Sequence, residues 1–208
     1  MSNRFATLGD MEDRARFLAA FVKDPFQTAS ITPSSTHLAQ AMIAHMDLGR
    51  ADIVVELGPG TGVFTRVILE ALRPGARLIC VEVNPELAST LAARFPQAQV
   101  INDSAQNLGR YLGALGVQGG VDCVISGLPW VLFSAVEQRR LLDPLVLALR
   151  PGGRFATFAY THAAWLPAGQ RFRRLLDDAF DEVVVGAQVW RNLPPAFVYR
   201  CRTRSPLT

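Results

Sequence analysis

Three glycines at alternate positions, directly after an apolar run, form the pattern in this sequence that points most clearly to chemistry. They follow Ile53–Leu57 and are Gly58, Gly60 and Gly62. Glycine lets the backbone approach a ligand closely, and the start of the helix that follows offers free N–H donors. The G-x-G-x-G spacing differs from that of dinucleotide sites, and Pro59 stiffens a loop that would there wrap a pyrophosphate. With Glu56 at the strand end, the pattern predicts a nucleoside site without a pyrophosphate; a tight turn that binds nothing is the alternative.

Two acids follow the next predicted strands and would complete such a site. Glu82 lies 20 residues beyond Gly62, and its ionised carboxylate could accept hydrogen bonds from both hydroxyls of a ribose. Asp103 follows the third strand and could accept a hydrogen bond from the amino group of adenine. A surface acid at position 82 and an ordinary helix N-cap around Asp103 are the alternatives.

The elements that must position these residues alternate between strands and helices. Short apolar and β-branched runs predict strands over residues 53–57, 77–82, 99–102, 121–126, 154–159, 183–190 and 195–202. Helices are predicted over residues 62–72, 85–95, 104–115, 136–149 and 170–179. The last two strands must be antiparallel, because a parallel return needs about a dozen connecting residues or more. The sequence predicts an α/β fold with a seven-stranded, mostly parallel, doubly wound sheet that ends in an antiparallel hairpin.

An amphipathic helix is predicted ahead of the sheet. Its apolar arc on a helical wheel includes Phe17, Leu18, Phe21 and Val22. A proline at position 25 ends it, and a second helix begins at a cap on Ser34 or Ser35 and runs to about residue 46. The chain is therefore divided into an N-terminal segment over residues 1–33 and a main domain over residues 34–208.

Composition and charge exclude several classes of protein. The 208 residues fit one domain, and 50% hydrophobic with 19% charged residues exclude a disordered, collagen-like or coiled-coil chain. No apolar run approaches the roughly 20 residues of a membrane span, and the N-terminus lacks a secretory signal, so we expect a cytoplasmic protein. Three separated cysteines predict buried thiols without a disulfide framework or metal site: Cys80, Cys123 and Cys201.

The positive charge is concentrated near the C-terminus. The formal net charge is +3, and residues 171–204 hold seven arginines against four acids. Local positive charge suits a phosphate-bearing partner such as a lipid headgroup or RNA, and a solvated face is the alternative.

The glycine motif, the two acids and the turn L-R-P-G-G at residues 149–153 resemble the cofactor-binding motifs of the class I S-adenosylmethionine-dependent methyltransferases. The resemblance covers the chain from about residue 34 to the end and implies a Rossmann-like fold. It implies S-adenosylmethionine as cofactor and S-adenosylhomocysteine as product. The expected cofactor-binding positions are Ser34, Glu56, Gly58, Gly60, Gly62, Glu82, Val83, Asp103, Ser104 and Ser126.

Residues 126–130, S-G-L-P-W, resemble the N-L-P-Y or N-P-P-Y loop of amine-methylating enzymes. In that loop, polar and backbone oxygens accept the amine hydrogens, and an aromatic ring faces the nucleophile. Enzymes that methylate adenine usually have Asn or Asp where this chain has Ser126, and Gly127 leaves room for a small amine. A proline-containing turn with Trp130 in the core is the alternative.

The N- and C-terminal parts resemble the bacterial phospholipid N-methyltransferases. The resemblance rests on F-L at 17–18, D-P at 24–25, T-A-S-I-T-P-S-S at 28–35, L-A-Q-A-M at 38–42 and R-N-L-P-P-A-F-V-Y at 191–199. It implies stepwise conversion of phosphatidylethanolamine, through mono- and dimethyl forms, to phosphatidylcholine. An anionic membrane surface is then a partner of a peripheral enzyme on the inner face of the cytoplasmic membrane. The N-terminal helix could immerse its apolar face there, or pack on the domain as a lid.

Methylation of an amine requires the neutral amine, so a group must take its proton. Ser126, the Gly127 carbonyl, Tyr160, His162 and water are open candidates. Aromatic faces at positions 130, 160, 165 and 190 could hold a methylated ammonium by cation–π attraction, with Trp165 and Trp190 expected in the core.

The expected site residues on the amine side follow from these arguments. Arg191 is the first choice for the phosphate of a lipid. The expected catalytic positions are Ser126, Gly127, Trp130 and Tyr160. The expected substrate-binding positions are Leu128, Pro129, Trp130, Tyr160 and Arg191.

Two other functions compete with lipid methylation. An rRNA adenine dimethyltransferase has a similar glycine motif, but the departure at Ser126, the weak charge and the missing RNA-gripping helical domain oppose it. A nucleoside-binding module without transfer activity is the other alternative. No nucleic-acid partner and no metal are expected, and the oligomeric state stays open.

Overall fold

Seven strands form one sheet in the computed structural model, which describes residues 35–204. They are β1 (Ile53–Leu57), β2 (Arg77–Glu82), β3 (Ala98–Asn102), β4 (Val121–Ser126), β5 (Leu149–Tyr160), β6 (Glu182–Val185) and β7 (Ala196–Arg202). Their order is β3-β2-β1-β4-β5-β7-β6. Strands β1 to β5 are parallel, and β7 is antiparallel to both β5 and β6. The predicted α/β fold, with its mostly parallel sheet and terminal antiparallel hairpin, is confirmed.

Helices cover both faces of this sheet. They are α1 (Thr36–Ile43), α2 (Val63–Ala71), α3 (Pro85–Arg94), α4 (Leu108–Ala114), α5 (Ala135–Ala148), α6 (Thr161–Ala164) and α7 (Pro167–Ala179). Three short 3₁₀ turns lie at Leu48–Arg50, Ala105–Asn107 and Trp130–Leu132.

The first helix shows how local residue types set the element boundaries. The Ser35 side chain accepts a hydrogen bond from Leu38 N at 3.2 Å, which confirms Ser35 of the two predicted caps. The helix ends at Ile43, three residues before the predicted end. His45 and Asp47 follow with φ of 64° and 52°, in the left-handed region that a right-handed helix cannot continue through.

Two apolar layers enclose the sheet. On one face, α4, α5 and α7 pack on it through buried leucines and through Phe172. On the other face, α1, α2 and α3 pack through residues such as Leu38, Phe64 and Leu91. Strand β4 is buried along its whole length, as expected for a central parallel strand covered on both faces. The predicted burial of the three free cysteine thiols is also confirmed.

Three predicted elements after the first helix differ most from their predicted boundaries. The helix predicted over residues 104–115 begins as the 3₁₀ turn Ala105–Asn107, and α4 follows it. Strand β5 starts earlier than predicted, at Leu149. The strand predicted over residues 183–190 ends at Val185, and Val189 pairs again with Ala196 only as an isolated bridge. Because β6 is an edge strand, it forms backbone hydrogen bonds with β7 alone, and a strand paired on one side ends more easily.

The N-terminal segment carries several predictions that lie outside the described residues. These predictions concern Phe17, Leu18, Phe21, Val22, Ser34 and the division of the chain at residue 33. Within residues 35–204, no helix has the length and apolarity needed to cross a bilayer.

Candidate cofactor and amine site

The predicted functional loops meet at one edge of the sheet. Strand β1 lies between β2 and β4, and Leu57 at its carboxyl end is in register with Val81 and Ser126. Gly58 N donates to Val81 O at 2.9 Å, and Gly127 N donates to Leu57 O at 2.8 Å. The loops after β1, β2 and β4 are thus neighbours at the carboxyl edge, where open parallel sheets bind ligands.

The three loop glycines have positive φ but different surroundings. Their φ angles are 66°, 54° and 83° at Gly58, Gly60 and Gly62. A Cβ at Gly58 would lie 2.8 Å from Leu128 Cδ2, and one at Gly62 would press on the Phe95 ring. A Cβ at Gly60 would meet nothing within 4 Å. Side chains therefore pack closely against Gly58 and Gly62 and would have to shift to admit a Cβ, whereas Gly60 borders open space that a ligand can enter.

Glu82 lies beside this open space and is only 5% exposed. Its Oε2 accepts a hydrogen bond from Gly60 N at 3.1 Å, and its Oε1 accepts one from Asn84 N at 2.9 Å. A carboxylate has about four lone-pair sites, so both oxygens can still accept a hydroxyl. Val83 next to it is 58% exposed and offers an apolar contact for a planar ring.

Glu56 lies beneath the glycine loop and not on its open side, which corrects its expected role as a cofactor contact. It is fully buried, and its Oε2 accepts hydrogen bonds from Thr65 Oγ1 at 2.7 Å and Cys80 Sγ at 3.5 Å. Burial raises the pKa of Glu56 to about 7, and these two hydrogen bonds only partly oppose it. Glu56 fastens the strand end to α2 and so supports the turn.

Asp103 and Ser104 lie at the carboxyl end of β3 within a local network. Asp103 Oδ1 accepts a hydrogen bond from Asn107 Nδ2 at 3.1 Å, and Oδ2 accepts one from the Tyr111 hydroxyl. Ser104 caps the following 3₁₀ turn by accepting from Gln106 N. Ser104 is therefore the cap of this turn. The carboxylate of Asp103 lies at the carboxyl edge of the sheet, where the cofactor is expected.

The side chains of Ser126 and Trp130 point into the protein. Ser126 is fully buried, and its Oγ accepts hydrogen bonds from Trp130 Nε1 at 3.1 Å and Leu128 N at 3.3 Å. Trp130 is 2% exposed and stacks on Phe172 with ring centroids 4.7 Å apart. The expectation that these two side chains contact cofactor or amine is corrected, since both are used in packing. The half-buried part of the loop consists of Gly127, Leu128 and Pro129.

Tyr160 and His162 follow at the carboxyl end of β5. Their rings stack with centroids 5.9 Å apart, and Tyr160 also makes an edge contact with Phe158. Burial raises the pKa of Tyr160 to about 12, so its hydroxyl keeps its proton at neutral pH. Tyr160 can therefore donate a hydrogen bond to a ligand but cannot act as the proton acceptor.

Arg191 lies on the exposed loop before β7. Its Nη1 is 3.3 Å from Nε2 of His37 on α1. The buried Asn192 fixes this loop, because it accepts from Ser35 N at 3.0 Å and donates to Pro194 O at 2.8 Å. Arg191 is therefore available to an anionic group that approaches the helix start.

Comparisons with known proteins agree on the class of enzyme. A family model described as protein-L-isoaspartate(D-aspartate) O-methyltransferase matches residues 8–110. An ornithine lipid N-methyltransferase from Singulisphaera acidiphila is 36% identical over 195 residues, which are 92% of this chain and 97% of that protein. The chain belongs to the class I S-adenosylmethionine-dependent methyltransferases.

Two further similarities are shorter or weaker in sequence. Ribosomal RNA small subunit methyltransferase A from Laribacter hongkongensis is 31% identical over 102 residues, which are 49% of this chain and 34% of that protein. The solved 1,6-didemethyltoxoflavin-N1-methyltransferase of Burkholderia thailandensis, with bound S-adenosylhomocysteine, is 19% identical. Its TM-score is 0.68, with 99% of this chain and 94% of that chain covered, which shows the fold.

A class I methyltransferase uses S-adenosylmethionine, and the residues present fit this cofactor. Gly60 borders open space in which a nucleoside can approach the backbone. Glu82 has lone pairs left for the ribose hydroxyls, and the exposed Val83 can contact the ring of the base. Glu82 would hold the ribose hydroxyls, and the glycine loop would receive the rest of the molecule. Among residues 35–204, no group of three or more His, Cys, Asp or Glu side chains could hold a metal ion.

Two asparagines of this methyltransferase support the site and were missed from the sequence. Asn102 Nδ2 donates to the carbonyls of Glu82 and Val83 at 2.8 and 3.1 Å, which ties the end of β3 to the loop after β2. Asn192 ties the loop before β7 to the start of α1 through its hydrogen bond from Ser35 N. An asparagine directly at a strand end was the available signal for Asn102, and none marked Asn192.

Trp165 and Trp190 are not core residues, contrary to expectation. They are 78% and 72% exposed. Trp165 follows α6, and Trp190 lies in the loop before β7, so neither lies under the helices that cover the two faces of the sheet.

Proposed function

We propose that this chain is a lipid N-methyltransferase that methylates the primary amine of a membrane-lipid headgroup. The observation that carries the proposal is the similarity to an ornithine lipid N-methyltransferase over 97% of that protein's length. A match over 92% of this chain includes both the cofactor loops and the loop at residues 126–130 that would form part of the amine side. The fold alone would not support a substrate, because one fold hosts many reactions.

The headgroup could come from either of two amine-bearing lipids. The relative's name favours ornithine lipid, whereas the sequence motifs favour phosphatidylethanolamine, converted stepwise through mono- and dimethyl forms to phosphatidylcholine. Both present a primary amine that can be methylated repeatedly. The proposal therefore rests on a lipid amine, and the assay below separates the two lipids.

The residues of the chain would bind and orient the amine rather than change it covalently. S-adenosylmethionine supplies an electrophilic methyl group on its sulfonium; a C–N bond forms, the S–C bond breaks, and the amine loses one proton. Gly127 lets the loop after β4 approach the glycine loop closely, since a Cβ at Gly127 would lie only 2.7 Å from Gly58 O. Close positioning of two reactants supplies much of the acceleration in such transfers.

The proton that the amine loses would be accepted by His162 or by water. Ser126 is excluded by its burial and by the two hydrogen bonds it accepts. Tyr160 is excluded because burial at the end of β5 raises the pKa of its hydroxyl to about 12. His162 is exposed and stacked on Tyr160, and an imidazole nitrogen is a common proton acceptor in catalysis. Arg191 would pair with the anionic group of the headgroup.

We further propose a peripheral location on the inner face of the cytoplasmic membrane. A lipid amine is reached at a bilayer surface, so the enzyme has to lie there during turnover. The apolar arc of the N-terminal segment would be one contact with an anionic surface. The support for this location is the lipid substrate itself.

The deciding experiment offers several substrates to the purified full-length protein. Radiolabelled S-adenosylmethionine is incubated with vesicles containing ornithine lipid, with vesicles containing phosphatidylethanolamine, and with ribosomal RNA. Label in either lipid supports the proposal and identifies the headgroup. Label in RNA alone overturns it and favours the rRNA methyltransferase alternative, which the partial similarity over 49% of the chain keeps in view.

Binding of the cofactor without transfer to any of these substrates would also overturn the proposal. It would favour a nucleoside-binding module. Glu82→Gln is the negative control, because it weakens cofactor binding without touching the amine side.

A further inference from the structure

Four large apolar side chains stand exposed on two loops at the carboxyl edge of the sheet. Trp165 and Leu166 lie after α6 and are 78% and 52% exposed, and Trp190 and Leu193 lie before β7 and are 72% and 67% exposed. We name these four residues the tryptophan patch. An exposed group of large apolar side chains usually marks a binding surface.

The two loops of the tryptophan patch are fastened to each other. Thr161 N donates to Pro195 O at 3.0 Å, and Gln188 Nε2 donates to Thr161 Oγ1 at 2.5 Å. Tyr160 at the end of β5 is in register with Ala196 at the start of β7. The patch therefore extends from the same edge of the sheet as the loop after β4, where the amine is expected.

The charge around the tryptophan patch is not negative. Residues 161–170 and 186–195 contain no Asp or Glu, and their charged or titratable members are Arg191 and His162. Tryptophan combines an apolar body with a polar N–H and is enriched where protein meets the headgroup region of a bilayer. A surface with two exposed tryptophans, an arginine and no acid complements an anionic lipid surface better than the mixed charge of a protein partner.

We propose that the tryptophan patch inserts into the headgroup region of the bilayer and so turns the carboxyl edge of the sheet towards the membrane. The inference rests on the proposed lipid substrate and adds a second contact, separate from the N-terminal segment. In this orientation the headgroup enters the site from the membrane side. The lipid then does not have to leave the bilayer completely.

Tryptophan fluorescence tests this contact selectively, because residues 1–34 contain no tryptophan. Full-length protein is mixed with vesicles of phosphatidylethanolamine and phosphatidylglycerol whose acyl chains carry bromine. Trp130 is buried, so quenching by bromine reports Trp165 and Trp190. Quenching in the wild type, reduced in both Trp165→Phe and Trp190→Phe, is expected. Co-sedimentation with vesicles without any quenching would overturn the proposal.

Variants supply the quantitative test. Trp165→Ser combined with Trp190→Ser should lower vesicle partition at least about tenfold, since losing roughly 60 Å² of buried apolar surface already gives that factor. The matched control is Leu147→Ser: Leu147 is 86% exposed near the end of α5, at the opposite edge of the sheet, and its loss should leave partition unchanged. Cofactor affinity should be unchanged in all these variants.

The outcome is separable from that of the methylation assay. Transfer of label to a lipid amine tests the proposed function, and quenching tests the patch. Wild-type partition in the double variant would overturn the inference and leave lipid methylation standing. Conversion of a wild-type dimer to a monomer in the double variant, with partition unchanged, would likewise overturn it and make the patch a contact between two copies.

Discussion

The carboxylate of Glu82 accepts a hydrogen bond from the backbone N–H of Gly60 at 3.1 Å. This bond joins the loops after β2 and β1 before any ligand is present. It holds a largely buried acceptor next to the one loop glycine whose Cα borders open space.

Glu82→Gln should raise the dissociation constant for S-adenosylmethionine by about tenfold to a hundredfold. Hydrogen bonds to a charged acceptor contribute about 1.5–3 kcal/mol, and the amide also turns a donor towards Gly60 N. Titration calorimetry measures the change. Glu86→Gln is the matched control, because Glu86 is an exposed acid in the first turn of α3, and it should bind the cofactor as the wild type does. Equal affinities in both variants would contradict the role of Glu82.

Gly60→Ala and Gly62→Ala should fail in different ways. Alanine at position 60 carries only the left-handed backbone cost of about 1–2 kcal/mol, but its methyl group enters the ligand space. Alanine at position 62 also presses on Phe95 and Leu91, which raises the cost to roughly 2–5 kcal/mol. Urea unfolding and cofactor titration together separate the two effects. A larger stability loss in Gly60→Ala would contradict this division of the loop.

Glu56→Gln should change how stability depends on pH. The pKa of Glu56 is raised from 4.5 to about 7, so the folded protein binds a proton that the unfolded chain releases. Wild-type stability therefore falls as pH rises through this window and is level above it. The variant lacks this loss, and its stability relative to the wild type should rise by about 3 kcal/mol between pH 4.5 and pH 8.

Unfolding curves at several pH values test the Glu56 prediction. Glu70→Gln is the control, since Glu70 is exposed on α2 and its replacement should leave the pH profile unchanged. Parallel profiles for wild type and Glu56→Gln would show that Glu56 does not titrate in this range.

Substitutions of Trp130 should lower the free energy of unfolding and have little direct effect on the choice of substrate. Trp130→Ala removes a ring stacked on Phe172 and should cost about 3–5 kcal/mol. Trp130→Phe keeps most of the packing and loses the hydrogen bond to Ser126, at about 1 kcal/mol. Thermal unfolding measures both, with the exposed Trp165→Phe as control. A fall in kcat for Trp130→Phe at unchanged stability would instead place the ring at the amine.

Most of the fold, the glycine loop and the position of Glu82 could be predicted from the sequence because local rules govern them, whereas the burial of Glu56 and Ser126 could not. Only glycine adopts a positive φ without strain, so the spacing at 58–62 located the loop, and strand ends located Glu82 and Asp103. The crossover rule for parallel strands gave the terminal hairpin. The amine half could not be predicted in the same way, since its side chains depend on what packs over them.

Sequence by itself determined the order of elements, the glycine turn and the acid at the end of β2. Backbone dihedrals and the periodic pattern of apolar residues are properties of neighbouring residues. Only the tertiary structure decided that Trp130 lies in the core while Trp165 and Trp190 lie outside it. The three rings are chemically identical, and Phe172, far along the chain on α7, covers just the first of them. Burial of a side chain is set by contacts between distant segments, which local sequence does not encode.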